Sequence, residues 1–139
     1  DFDLELAKKE TPENPVFYIQ YAHARICSIF RIAEEEGIEI NNVEEVDLAP
    51  LVEEEEFSII RTILTFPEVV EKSASAMEVL RISHYLLDLV SRFHGYYSRH
   101  RVVSEDKEVT LARLCLLDGL RITIRNGFEL MGISAPEKM

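Results

Sequence analysis

The chain has 139 residues, 47% of them hydrophobic and 29% charged, with a net charge of −11. That length suits one domain with a sizeable core, and only five Gly and five Pro favour helices over loops. Apolar runs break well short of a membrane span, and the acidity runs against a general nucleic-acid binder.

Residues 1–13 are charged and unpatterned, and read as a linker from a preceding domain, with the helical domain over 14–139. They show neither the basic start nor the apolar stretch of a signal peptide. With no initiator Met, the chain is expected to be part of something longer. Asn14 can cap a helix whose first position is Pro15, where a missing N–H costs nothing. Ile19, Ala22, Ile26, Ile29 and Ala33 then make a core stripe, and Gly37 should stop the helix.

Residues 34–56 hold eleven acids and no Lys or Arg, and outside them 15 basic residues balance 15 acidic ones. The acidity is therefore local, and reads as a solvated face. A second helix follows, with Phe57, Ile60, Ile63 and Leu64 inward, ended by Pro67, which can start a short third. Ser75 and Glu78 have the spacing of a capping box. They are expected to open a fourth helix to about Arg101, with Val79, Ile82, Leu86, Leu89 and Phe93 inward. Gly95 inside it suggests a kink or a close helix contact. A polar turn at 104–107 precedes a last helix from about Glu108 to Met131, ended by Gly132. The expected fold is all-α, an antiparallel bundle of about five helices.

No catalytic or phosphate-loop motif is present, and His23, His84, His94 and His100 are never four apart. No catalytic or metal residues are assigned. Cys27 and Cys115 read as free thiols of a reducing compartment. What remains is aromatic and basic chemistry of the kind single-stranded RNA needs, flat rings to stack on and donors for edges and phosphates. Tyr21 and Arg25 are four apart, about 40° around a helix, and Ser28 and Ile32 continue their line beside the core stripe. Equally, Tyr21 could be boundary core and Arg25 a surface charge. A second cluster runs from Arg92 to Arg101, with Phe93 and Tyr97 on one face and Arg92, Tyr96 and Arg99 on another. Spacing does not say which of Tyr96 and Tyr97 faces solvent.

Three separated segments resemble the C-terminal anticodon-binding domain of arginyl-tRNA synthetases, called DALR. They are Asn14-Pro15 leading into Gln20-Tyr21-Ala22-His23-Ala24-Arg25, then Phe93-His94, Tyr96-Tyr97 and Arg101-Val102, then Asn126-Gly127 through Gly132-Ile133-Ser134-Ala135-Pro136-Glu137-Lys138-Met139. Two positions depart from the family pattern. Asp118-Gly119-Leu120-Arg121 has glycine where the family has alanine, which suggests tight packing, and Lys138 replaces an Arg. The resemblance implies anticodon-loop binding by Tyr21, Arg25, Tyr97 and Met139, to which Arg99 and Arg101 are added here as phosphate contacts. It implies no cofactor in this segment, with ATP and Mg²⁺ serving a catalytic domain upstream that joins arginine to its tRNA. It further implies the arginine isoacceptors as partners, a cytoplasmic setting and no membrane. All arginine codons carry G in the middle, so a reader of the complementary C could select their tRNAs. The rival reading is a helical protein-interaction module docking through the acidic face 34–56.

Overall fold

The structure is a computed structural model and describes residues 14–139; the linker expected at 1–13 lies outside the described residues. Among the described residues the helices are α1 (Pro15–Glu35), α2 (Glu54–Leu64), α3 (Phe66–Ala76), α4 (Leu80–Arg99) and α5 (Lys107–Met131), with a 3₁₀ turn at Val43–Glu45. The all-α expectation holds. The long helices α1, α4 and α5 pack on one another, α2 closes over α4 and α5, and α3 lies along α4.

Local chemistry sets most boundaries. Asn14 Oδ1 accepts from the amides of Val16 and Phe17, satisfying two otherwise orphaned donors. Asp106 caps α5 in the same way. Gly37 and Gly132 stop α1 and α5 at φ 77° and 69°, left-handed values that glycine adopts without steric cost. The stripe of Ile19, Ala22, Ile26, Ile29 and Ala33 is wholly buried. It meets Leu86, Leu89, Val90 and Phe93 of α4 and Leu117, Leu120, Ile124 and Phe128 of α5 in one core.

Other expectations fail. Ser75 opens nothing: it lies in the last turn of α3, which ends at Met77 with φ 56°. Glu78 lies outside both helices, its side chain on Arg81 at 2.7 Å, and α4 starts at Leu80 with no side-chain cap. Val79, just before that start, is 56% exposed rather than inward. The capping box is at Glu53 and Glu56, where the Glu53 amide donates to Glu56 Oε1 at 3.0 Å. This also corrects the phase of α2. Its inward positions are Glu56 and Ile59, flanked by half-buried Ile60 and Ile63, while Phe57 and Leu64 are 41% and 73% exposed.

Glu56 is fully buried and reaches Tyr96 and Arg113. The Tyr96 hydroxyl donates to Oε2 at 2.5 Å and Arg113 Nε to the same oxygen at 2.9 Å. Arg113 Nη1 also donates to the Arg101 carbonyl at 2.8 Å. Burial first, then the Glu56 contact, push the Tyr96 phenol well above its usual range, so it stays a donor. One carboxylate thereby ties α2, α4 and α5 together. The acidic stretch is thus not a single solvated face: Glu56 is core, Glu53 is in a cap and Glu55 holds Arg99 and His100.

The close helix contact expected at Gly95 is at Gly127 instead. A Cβ there would meet Leu86 carbons at 2.9 and 3.1 Å, whereas at Gly95 the nearest atom is the flexible Arg99 Nη2 at 3.2 Å. Nor is Gly119 tightly packed, since a Cβ would meet only Ile63 Cδ1 at 3.9 Å.

Candidate nucleic-acid interface

The rows of side chains flanking the buried stripe of α1 decide what that helix offers solvent. One row carries Tyr21, Arg25, Ser28 and Ile32, with Tyr21 43% exposed and Arg25 half-buried. Facing it on α4 is Tyr97, half-buried against Phe93 with ring centroids 5.7 Å apart. Tyr96, one residue earlier, is sealed in the core and leaves the face assigned to it with Arg92 and Arg99. Helix phase therefore gives Tyr97 to the interface and Tyr96 to the Glu56 network.

The guanidinium of Arg25 lies between the two tyrosines, 4.7 Å from the Tyr97 centroid and 5.9 Å from that of Tyr21. Both are cation–π distances. Beneath them His94 packs on Tyr18 and Phe93, with centroids 5.1 and 5.3 Å away. Burial, aided by the Arg25 charge, holds the His94 imidazole below its usual range. Arg25 thus stands over a neutral ring and has no carboxylate partner among the described residues. A cation kept from internal neutralisation remains available to an anionic ligand.

The tail after α5 forms the remaining wall. The Ile133 amide donates to the Phe128 carbonyl at 2.9 Å, turning the chain back at Gly132. Residues 133–137 then run along α1. Gln20 Nε2 donates to the Ser134 carbonyl at 3.0 Å, His23 bonds the Pro136 carbonyl at 2.9 Å, and Arg31 Nη1 donates to the Glu137 carbonyl at 3.3 Å. This brings Lys138 and Met139 beside Tyr21, Arg25, Ser28 and Tyr97, around a cleft of about 510 Å³. Met139 is 55% exposed there.

A second cleft, also about 510 Å³, lies on the other side of Tyr97 and shares Ile29, Ile32 and Tyr97 with the first. Glu36, Arg99, His100, Arg101 and Val103 line it. The two adjoin along Ile29, Ile32 and Tyr97 and make one groove lined by both apolar and polar side chains. Of the two arginines assigned to phosphate, Arg99 is bound to Glu55 at 2.7 Å, and its side chain is largely exposed. Arg101 is exposed and, among the described residues, its side chain has no carboxylate partner.

The structure therefore gathers Tyr21, Arg25, Tyr97 and Met139 at one cleft and puts Arg99 and Arg101 at its neighbour. Sequence reasoning missed Lys138, Glu36 and His100 as lining residues. Contacts to backbone carbonyls leave no periodic signal, and Glu36 was hidden among the acids. Asp118 and Arg121 are not at the groove. They pair at 2.6 Å, and the Arg121 guanidinium lies 4.1 Å from the Phe30 centroid, a stacking that ties α5 to α1. Among the described residues no three His, Cys, Asp or Glu side chains are grouped to hold a metal ion, and no helix is long and apolar enough to cross a membrane. Cys27 and Cys115 are separate free thiols.

Comparison with known proteins points the same way. The sequence profile of the DALR anticodon binding domain family matches residues 19–139. An arginine–tRNA ligase of Geotalea uraniireducens is 51% identical over 138 residues, covering 99% of this chain and 25% of that one. The same enzyme from Symbiobacterium thermophilum is 50% identical over 139 residues, with coverages of 100% and 25%. This chain thus spans about a quarter of the length of such relatives. Among solved structures, one assigned as an arginyl-tRNA synthetase from Campylobacter jejuni superposes with a TM-score of 0.82 at 33% identity. It covers 99% of this chain and 29% of that one.

Proposed function

This chain belongs to the DALR anticodon binding domain family, and on that footing we propose that it holds the anticodon loop of arginine tRNAs for an arginine–tRNA ligase. The observation that carries the reading is the placement of Arg25 between Tyr21 and Tyr97 at a cleft walled by Met139. Splayed bases need stacking surfaces, worth about 1–3 kcal/mol each, and a fixed donor for an edge or phosphate. Tyr21, Tyr97 and Met139 supply the surfaces and Arg25 the donor. Arg101 takes a flanking phosphate in the adjoining cleft, and Arg99 contributes only by loosening its hold on Glu55. Joining arginine to the tRNA, with ATP and Mg²⁺, falls to the part of the relatives' length outside this chain, and the setting is the cytoplasm.

The test is binding of this chain to two arginine anticodon stem-loops that differ only at the middle base, at low and moderate salt. A preference for C of about tenfold or more is expected, since one wrong base costs about 1–3 kcal/mol. Equal binding with steep salt dependence would mean contact to the backbone alone. Absence of binding to either loop at any salt would sink the reading. A protein-docking role for 34–56 gains no support, because Glu56 is buried in the core and Glu55 is paired.

A further inference from the structure

Three α1 side chains grip the tail, but only one of them is sealed from water. Gln20 and Arg31 bond their carbonyls in exposed positions, where water competes for both partners. His23 is fully buried, and its 2.9 Å contact to the Pro136 carbonyl is the middle one of the three along the tail. A carbonyl only accepts, so His23 Nδ1 carries the proton. That leaves Nε2 as the other polar atom of the ring, buried and with no partner among the described residues. A simple core position would be served at less cost by an apolar side chain of similar size.

We propose that His23 is the positioning residue of the interface: its Nδ1–H fixes the tail on α1, and through the tail it sets Met139 at the cleft. This deepens the anticodon-loop reading and rests on it. The charged groups facing His23 are Arg121 and Arg125 of α5 and Glu137 of the tail, with Cys27 Sγ 3.9 Å from Nδ1 on its own helix. Desolvation dominates and keeps the ring neutral. Protonating Nε2 would put a second, unpaired donor in that dry site, whereas a lifted tail would let water reach it.

The experiment uses His23→Leu, which keeps bulk without a donor, His23→Asn, which keeps a donor near the Nδ1 position, and Met139→Ala. Backbone ¹⁵N relaxation on the free protein reports the order of the tail directly. His23→Leu should lower the order parameters of the Ser134, Ala135, Glu137 and Lys138 amides from near the rigid value of about 0.85 to below about 0.6, with α4 and α5 unchanged and His23→Asn partly restoring them. In stem-loop binding, His23→Leu and Met139→Ala should each weaken affinity by about tenfold. The double variant should be no weaker than either single one, because both act through one tail. Unchanged tail order parameters in His23→Leu, or multiplicative binding losses in the double variant, would overturn the proposal. A loosened tail in His23→Leu with a harmless Met139→Ala would support the positioning of the tail and count against the anticodon reading instead.

Discussion

The guanidinium of Arg25 lies 4.7 Å from the centre of the Tyr97 ring, although the two residues come from helices far apart in sequence. The stack limits the rotamers of a long side chain, so less freedom is lost when it meets a ligand. Arg25→Lys keeps the charge but loses the planar group, and Tyr97→Phe keeps the ring. Anisotropy titration with an arginine anticodon stem-loop should show Tyr97→Phe binding like the parent. Arg25→Lys should be about tenfold weaker and Tyr97→Ala about ten- to a hundredfold weaker. A parent-like Arg25→Lys would mean that only its charge matters.

How much of this was legible in the sequence depends on the period each residue obeys. The α1 stripe obeys the helical period and is buried as expected from Ile19 to Ala33. Helix stops were legible where glycine marks them, at Gly37 and Gly132, but not at Met77, whose left-handed φ no residue preference announces. The phase of α2 was misread because a charged residue, Glu56, occupies the inward position, and hydrophobic pattern reading assigns acids to solvent. The same buried acid decides between Tyr96 and Tyr97, which spacing left open. The groove was legible in its members through family resemblance, and its construction through tail carbonyls was not.

The two α5 glycines should answer oppositely to alanine. At Gly119 the added methyl group has only ordinary contact at 3.9 Å, and removing a helix-interior glycine gains up to about 1 kcal/mol. At Gly127 it would press on Leu86 carbons, of which the nearest is at 2.9 Å, and forcing α4 and α5 apart costs about 1–3 kcal/mol. Thermal melts should therefore place Gly119→Ala at or above the parent and Gly127→Ala below it. A destabilised Gly119→Ala would show that this position is crowded after all.

Removing one member of the buried network should cost according to what is left behind. Glu56→Ala strands the Arg113 guanidinium, 13% exposed, and the Tyr96 hydroxyl, and also removes the return bond of the α2 cap. About 3–5 kcal/mol is expected, the range for breaking a buried pair from one side. Tyr96→Phe leaves Glu56 with Arg113 and should cost about 1–2 kcal/mol. Urea titration measures both. Equal losses would mean that Arg113 contributes nothing to holding the carboxylate.

Stability should fall on the acid side through two histidines rather than through surface ion pairs. Burial is the first cause that lowers the pKa of His23 and of His94, with Arg25 adding to it for His94. The ordinary value is 6.5 for each, so the unfolded chain takes up these protons first as pH drops. The stabilisation is therefore fully present above about pH 6.5 and is lost progressively as pH falls toward the lowered folded values. Glu55, held below its usual range by hydrogen bonds from Arg99 and then His100, works in the same direction at lower pH, but it is partly exposed to solvent and so contributes less. Melting temperatures at pH 7.5 and 5.5 should fall for the parent and fall less for His94→Gln, which cannot take up the proton. At pH 7.5 the variant loses ring packing on Tyr18 and Phe93, so the informative quantity is the difference between the two pH values, not either melt alone. A parent whose melt does not move between them would mean that the histidines are as easily protonated folded as unfolded, and that the site beneath Arg25 is wet.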